Sequence, residues 1–262
     1  MGNYPLSYNK FTIIIPVYST ELNTRVKQFT DCVDSVIRQS YPNWELIIVD
    51  DHSRDDVPKI ADDYAAKDER IKVIHFDEQK QRGAARNAGM KAASNDWICW
   101  LDSDDEYLKT YLEVLNSYMT EDYPGYMCYH YGAMVVRMGH QSLRDTMVIQ
   151  EEDDHMVKFR SGSIGTGSFC FNKSVLDDVG YLPEAMNARK FADLCKEETP
   201  ELVEMFGPSY AEGGKELGNP WGDDYYMFYK ITRKFKSKDL PIAPYIQFVR
   251  RQRFSFQPLK DY

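Results

Sequence analysis

Through Leu101 the chain alternates short β-branched runs with amphipathic stretches, and that rhythm leaves few folds open to it. Phe11-Thr12-Ile13-Ile14-Ile15 reads as a buried strand that ends at Pro16. Val26, Phe29, Val33, Val36 and Ile37 then recur at spacings of three and four, the period of a helix with one apolar face. Trp44 to Val49 is a second strand, Val57, Ile60, Ala61 and Tyr64 mark a second helix, and Ile71 to Phe76 is a third strand. An alanine-rich helix opens at Gly83, and Trp97 to Leu101 is the fourth strand. Such alternation needs crossover connections, so the chain predicts an α/β fold with a mostly parallel, Rossmann-like sheet flanked by helices. In open sheets of this kind ligands bind outside the carboxyl ends of the strands. The polar stretches Pro16-Val17-Tyr18, Asp50-Asp51 and Asp102-Ser103-Asp104 all fall at such ends.

The last of these carries the most chemistry. The apolar run from Trp97 drives straight into Asp102-Ser103-Asp104-Asp105. Side chains alternate along a strand, so an Asp-x-Asp that continues it sets both carboxylates on one face. Two hard oxygen ligands so placed suit Mg²⁺ or Mn²⁺ holding a diphosphate. In isolation the same residues read first as an acidic turn capping the next helix. Their company at the sheet edge favours a binding site. No Gly-x-Gly-x-x-Gly turn follows the first strand, so a pyrophosphate held by a helix N-terminus is not expected there.

Composition restricts the partners. A formal charge of -9 argues against a general nucleic-acid binder. Five cysteines without a Cys-x-x-Cys suggest neither a disulfide framework nor a zinc knuckle, and they fit a reducing compartment. The first ten residues lack a signal-peptide pattern, and no apolar run approaches the roughly 18 residues that span a bilayer. A cytoplasmic protein is expected, with peripheral contact at a membrane surface left open.

In order along the chain, Ile13-Ile14-Ile15-Pro16-Val17-Tyr18, Val49-Asp50-Asp51-His52-Ser53, Arg82-Gly83-Ala84-Ala85-Arg86-Asn87-Ala88-Gly89 and Leu101-Asp102-Ser103-Asp104-Asp105 resemble the signature of the family 2 glycosyltransferases with the GT-A fold. The resemblance implies a nucleotide-diphospho-sugar donor, a divalent cation (Mn²⁺ or Mg²⁺) at the Asp-x-Asp, and inversion at the anomeric carbon. By position, Asp51 resembles the aspartate that accepts a hydrogen bond from uracil, which favours UDP-sugars. Pro16 and Tyr18 look like the wall beside the base, and Asp50 either joins them or holds the strand end. Arg86 lies where the family faces the donor diphosphate or sugar, although an ordinary ion pair is the alternative. Asp102 resembles the contact to ribose and metal, Asp104 the direct metal ligand, and Ser103 lies between them in the nucleotide-sugar site. Asp105 reads as a supporting carboxylate or as the cap of a helix starting near Leu108.

The second half carries fewer signals. Leu108, Tyr111, Leu112, Leu115 and Tyr118 form a helical stripe ended by Pro124-Gly125, and Tyr126 to Met138 reads as a strand or hairpin that widens the sheet. Its aromatic residues suit core packing, with stacking on sugar rings as the alternative. Residues 150–154 read as a solvated acidic loop, and the glycine-containing stretch 163–173 resembles a family loop near the donor sugar. Residues 184–220 are an insertion, read as an acceptor-recognition lid or as inert surface. Trp221-Gly222-Asp223-Asp224 resembles the family's Glu-Asp stretch, which makes Asp224 the candidate catalytic base and Asp223 the residue that orients acceptor or base; two helix caps are the other reading. Relatives place a metal-completing histidine near the stretch 248–254, where this chain has Arg250, Arg251 and Arg253 instead; the stretch reads first as a solvated basic face, with facing the diphosphate or meeting an anionic membrane as the functional alternatives.

The whole reads as one domain over 1–262, with a nucleotide-sugar half at 1–107 and an acceptor and base half at 108–262. Its expected function is transfer of a sugar from a nucleotide-diphospho-sugar to an acceptor hydroxyl in polysaccharide or glycoconjugate synthesis. The competing reading is a nucleotide-sugar-binding or scaffold protein without catalysis. A nucleotidyltransferase is disfavoured, because no glycine-rich, lysine-bearing loop follows the first strand.

Overall fold

The computed structural model describes residues 8–122, 124–131, 134–138, 146–147, 167, 169–184, 193–194, 196–198, 200, 223–240 and 245–250, with backbone alone for 134–138, 146–147, 223–225 and 245–250. The first half is built from β1 (Phe11–Val17), α1 (Val26–Ile37), β2 (Trp44–Asp50), α2 (Val57–Ala65), β3 (Ile71–His75), α3 (Gln81–Ala92) and β4 (Trp97–Trp100). Then come β5 (Glu106–Tyr107), α4 (Tyr111–Ser117), β6 (Cys128–Tyr131), β7 (Met134–Met138), β8 (Thr146–Met147), β9 (Phe169–Asn172), α5 (Leu176–Val179), α6 (Asp223–Lys234), β10 (Ser237–Leu240) and β11 (Tyr245–Arg250).

Seven strands form the main sheet in the order β10-β6-β9-β4-β1-β2-β3, and β5-β11-β7-β8 form a second one. Every pairing in the main sheet is parallel except those that β9 makes with β4 and β6. The mostly parallel α/β sheet read from the sequence is therefore the one observed. Strand β1 is buried on both faces. Ile13, Ile15 and Val17 pack with Phe29, Val33 and Val36 of α1, whereas Ile14 packs with Ala85 and Met90 of α3 and with Trp100. This two-sided burial is why β1 and β2 read as nearly continuous apolar runs. Gly89 lets α3 lie directly on β1, because a Cβ there would sit 2.4 Å from Ile14 Cγ2.

The chain runs β1 to β2 to β3 in one direction and then places β4 on the other side of β1. The strand order thus reverses between β1 and β4, which opens a crevice at their carboxyl ends. Among the described residues no helix is long and apolar enough to cross a membrane.

Several local expectations are corrected. Strand β1 does not end at Pro16 but continues to Val17, with Pro16 paired to Val49. Phe11 N–H and Val17 C=O bond toward β2, while Ile14 C=O accepts from Leu101 beyond β4. Alternation therefore aims the position of Pro16 toward the β4 side, past the last residue of that strand, where a missing N–H leaves no ladder bond unmade. The stretch 126–138 is not one hairpin: β6 joins the main sheet and β7 the second. Tyr129 and Tyr131 are buried, in line with core packing. The helix placed near Leu108 starts at Tyr111, α3 starts at Gln81, and β4 stops at Trp100.

Candidate active site

The carboxyl ends of β1 and β2 are laced together. Asp51 N–H donates to Val17 C=O at 2.8 Å, Arg54 N–H to Ser19 C=O at 2.8 Å, and Ser19 N–H to Ser53 Oγ at 3.0 Å. Asp50 is buried; its Oδ1 accepts from Ser53 N–H at 3.0 Å and its Oδ2 lies 2.9 Å from His75 Nδ1. The second His75 nitrogen lies 3.1 Å from Asp62 Oδ1. Asp50 thus fixes the turn that presents its neighbour. Asp51, also buried, receives Lys80 N–H at 2.6 Å and Gln81 N–H at 2.9 Å on its two carboxylate oxygens. Burial pushes the Asp51 carboxyl above its ordinary value, and the two N–H donors pull the other way. This contact ties the end of β2 to the first residues of α3. Pro16 is buried inside β1, and Tyr18 emerges into solvent just past it.

At the end of β4 the Asp-x-Asp is not the strand continuation expected. Residues 102–105 form a turn closed by Asp105 N–H donating to Asp102 C=O at 3.0 Å, with Asp105 and Ser103 buried inside it. The two carboxylates are therefore carried by a turn and not by an alternating strand. Cys32 of α1 supports it from below, its thiol donating to Asp102 C=O at 3.4 Å. Burial and the carboxylates of Asp105, Asp104 and Asp102 push that thiol well up, so it stays protonated.

Each carboxylate of the pair meets an arginine. Arg86 is fully buried in α3, its guanidinium 4.7 Å from the centroid of the Trp100 ring, and it donates from Nη2 to Asp102 Oδ1 at 3.0 Å. Arg25, at the start of α1, donates from Nη1 to Asp104 Oδ2 at 2.7 Å. Arg86 carries a motif in the sequence; Arg25 carries none and escapes sequence reading altogether. Asp102 and Asp104 each keep 26% of the side chain exposed. Among the described residues no group of three or more His, Cys, Asp and Glu gathers to hold a metal. Two reachable carboxylates nevertheless fit Mg²⁺ or Mn²⁺ of the kind that takes one or two protein oxygens and completes its shell with phosphate and water.

A second missed residue is Asn87, buried beside Arg86. It donates from Nδ2 to Leu182 C=O and to Glu184 Oε1, both at 2.8 Å, and its Oδ1 accepts from Leu182 N–H at 3.0 Å. Asn87 thereby holds the segment after α5 against the helix that carries Arg86. Asp223 and Asp224 lie in the first turn of α6, where the positive end of the helix dipole favours carboxylates. Helix α6 is anchored through Phe228, whose ring centroid is 5.5 Å from that of Phe169, and through Tyr226 and Lys230, which donate to Glu198 Oε2 at 2.6 and 2.7 Å. Glu198 belongs to the 184–220 insertion, so part of that insertion docks on the helix that bears the candidate base. Residues 150–154, 163–166 and 168 of the glycine stretch, Trp221, Gly222, Arg251 and Arg253 lie outside the described residues, and Arg250 is described by its backbone in β11.

The chain is similar in sequence and in fold to known proteins. The family model described as Glycosyl transferase family 2 matches residues 12–180, more than half of the chain. TuaG of Bacillus subtilis (strain 168), named for teichuronic acid biosynthesis, is 38% identical over 108 residues, which cover 41% of this chain and 42% of that protein. Residues 1–349 of S. aureus TarS, solved in complex with UDP-GlcNAc, superpose with a TM-score of 0.64 at 18% identity, covering 93% of this chain and 59% of that one. The mannosyltransferase PcManGT from Pyrobaculum calidifontis, solved with GDP-Man and Mn²⁺, gives a TM-score of 0.59 at 14% identity, covering 95% of this chain and 59% of that one. The chain spans less than half the length of the curated relative it matches and about three fifths of the solved ones. Its fold is of the GT-A type, and the chain belongs to glycosyl transferase family 2.

Proposed function

We propose that this chain is a cation-dependent inverting glycosyltransferase that moves a sugar from a nucleotide-diphospho-sugar, a UDP-sugar first of all, to a hydroxyl of a saccharide or glycoconjugate acceptor. The observation that carries this reading is the meeting of two reachable carboxylates, Asp102 and Asp104, with two arginines at the β1/β4 crevice. The UDP-GlcNAc complex of TarS and the Mn²⁺ complex of PcManGT support the choice of donor and cation.

In this reading Pro16 and Tyr18 flank the base, Asp51 accepts from it, and Asp50 holds the turn that presents Asp51. Ser103 and Asp102 line the ribose and diphosphate path, and Arg86 faces the diphosphate. Asp102 and Asp104 would hold Mn²⁺ or Mg²⁺, which when bound would neutralise the charge of the departing diphosphate. Asp224 takes the proton of the acceptor hydroxyl as its oxygen bonds to the anomeric carbon, from the face opposite the nucleotide. The bond from that carbon to the phosphoryl oxygen breaks, and its electron pair leaves with the nucleotide. Asp223 orients the acceptor or the base. The enzyme works in the cytoplasm, with the basic C-terminal segment available for peripheral membrane contact.

A thermal-shift panel of UDP-, GDP- and dTDP-sugars with Mn²⁺ or Mg²⁺ tests the donor. UDP-sugars should raise the melting temperature most, and only with the cation; protection by no nucleotide would sink the reading. Asp224→Asn should keep that protection while nucleotide release from the donor stops, and retained turnover would move the base elsewhere.

A further inference from the structure

We infer that Arg25 couples cation binding to donor binding: without a donor its guanidinium occupies Asp104, and the donor's diphosphate draws it away. This rests on the cation site at Asp102 and Asp104 proposed above. The two arginines of the site differ in a way that assigns them different work. Arg86 is fully buried against Trp100 and bonds Asp102 at Oδ1. Arg25 has a side chain 32% exposed and sits on Oδ2 of Asp104 at 2.7 Å.

The root of Arg25 is fixed, and its head pairs with Asp104. Its N–H donates to Ser19 Oγ at 2.8 Å, and the Ser19 hydroxyl donates to Asp55 Oδ2 at 2.5 Å, so its backbone is held at the carboxyl end of β1. The side chain spans from there to the turn after β4, across the crevice in which a ligand of an open α/β sheet lies. A guanidinium and a divalent cation repel each other on one carboxylate, so the cation alone must displace Arg25. A diphosphate offers the planar guanidinium a paired acceptor of higher charge than one carboxylate. When it arrives, Arg25 leaves Asp104, and the carboxylate becomes available to the cation. By linkage, nucleotide and cation then each tighten the binding of the other by the same factor.

The test measures Mn²⁺ binding to the full chain by electron paramagnetic resonance of the free ion, with and without UDP. In the native protein UDP should tighten Mn²⁺. Arg25→Gln should bind Mn²⁺ alone more tightly, by about fivefold, the scale of a partly exposed ion pair, and the enhancement by UDP should shrink. Arg25→Lys, which keeps the charge without the planar fork, should fall between. Native values for both quantities in Arg25→Gln and Arg25→Lys, or weaker Mn²⁺ binding in Arg25→Gln, would overturn the inference. Asp104→Asn separates this outcome from failure of the cation site. If Asp104→Asn weakens Mn²⁺ while the Arg25 variants do nothing, only the coupling fails; if Asp104→Asn leaves Mn²⁺ unchanged, the cation site fails and the coupling with it.

Discussion

Replacing Glu45 by Gln tests how the amino end of the sheet is held, because donors from two strands and a turn converge on that one carboxylate. Glu45 is 6% exposed. Its oxygens accept from Thr12 Oγ1 at 2.6 Å in β1, Lys72 Nζ at 2.8 Å in β3, and Ser94 N–H, Ser94 Oγ and Asn95 N–H at 2.6, 2.7 and 3.2 Å in the turn before β4. Burial by itself raises the carboxyl, but the bonds from Lys72, Thr12 and Ser94 outweigh it and hold the group at about 2 against an ordinary 4.5. Because the folded value is depressed, the ionised form stabilises the fold fully above about pH 4.5, and that stability is lost as pH falls toward 2. At one pKa unit per 1.36 kcal/mol the difference amounts to roughly 3 kcal/mol at neutral pH, of which about 2 kcal/mol is gone by pH 3. Lys72 is half exposed, so its share is screened and the burden falls on Thr12 and Ser94. Urea unfolding of the native protein and of Glu45→Gln at pH 7, 5, 4 and 3 reads this directly. The stability gap between them should be largest at pH 7 and narrow steadily below pH 4.5. A gap that stays constant from pH 7 to pH 3 would refute the reasoning. Glu45 lies at the opposite end of the strands from the crevice, so protection by UDP should survive in the folded variant.

Gly89→Ala should destabilise by about 1–3 kcal/mol through overpacking, since the new Cβ meets Ile14 Cγ2 at 2.4 Å in the middle of the core; a melting temperature equal to the native one would show that α3 can shift without cost. Asn87→Ala should lose about 2 kcal/mol or more, because it strands the buried N–H and C=O of Leu182 that Asn87 satisfies. Hydrogen exchange at Leu182 should rise in that variant, and unchanged protection there would count against the clamp. Asp51→Asn should also lower the melting temperature, because the amide can accept from only one of the N–H groups of Lys80 and Gln81 and turns its own donors toward the other.

The regular elements of the first half were legible because their causes are local. A strand buried on both faces must be apolar throughout, as Ile13 to Ile15 and Leu46 to Val49 are, and a helix on a sheet must repeat its apolar residues at three and four, as α1 does. Polar residues break those runs where the chain leaves the sheet, so Asp50, Asp51, Asp102 and Asp104 marked the carboxyl edge of the strands by position alone. Local pattern misled where the outcome depended on a neighbouring strand. Pro16 looked like a strand end and is not one, because β4 stops short of it; Asp102 to Asp104 looked like a strand and form a turn.

The second half was less legible because its pairings are remote. That β9 runs against both its neighbours, or that β6 and β7 enter different sheets, follows from packing and not from the composition of either strand.

The sequence by itself therefore determined the α/β class and the carboxylates that stand at the carboxyl ends of its strands, since each of these is written in short local runs. Only the tertiary structure decided which groups those carboxylates meet. Arg25 reaches Asp104 across 79 positions and Asn87 reaches Leu182 across 95, and such contacts exist because crossovers and strand register bring distant residues to one crevice. Hydrophobic periodicity records which face of an element is buried; it carries no record of the residue on the far side.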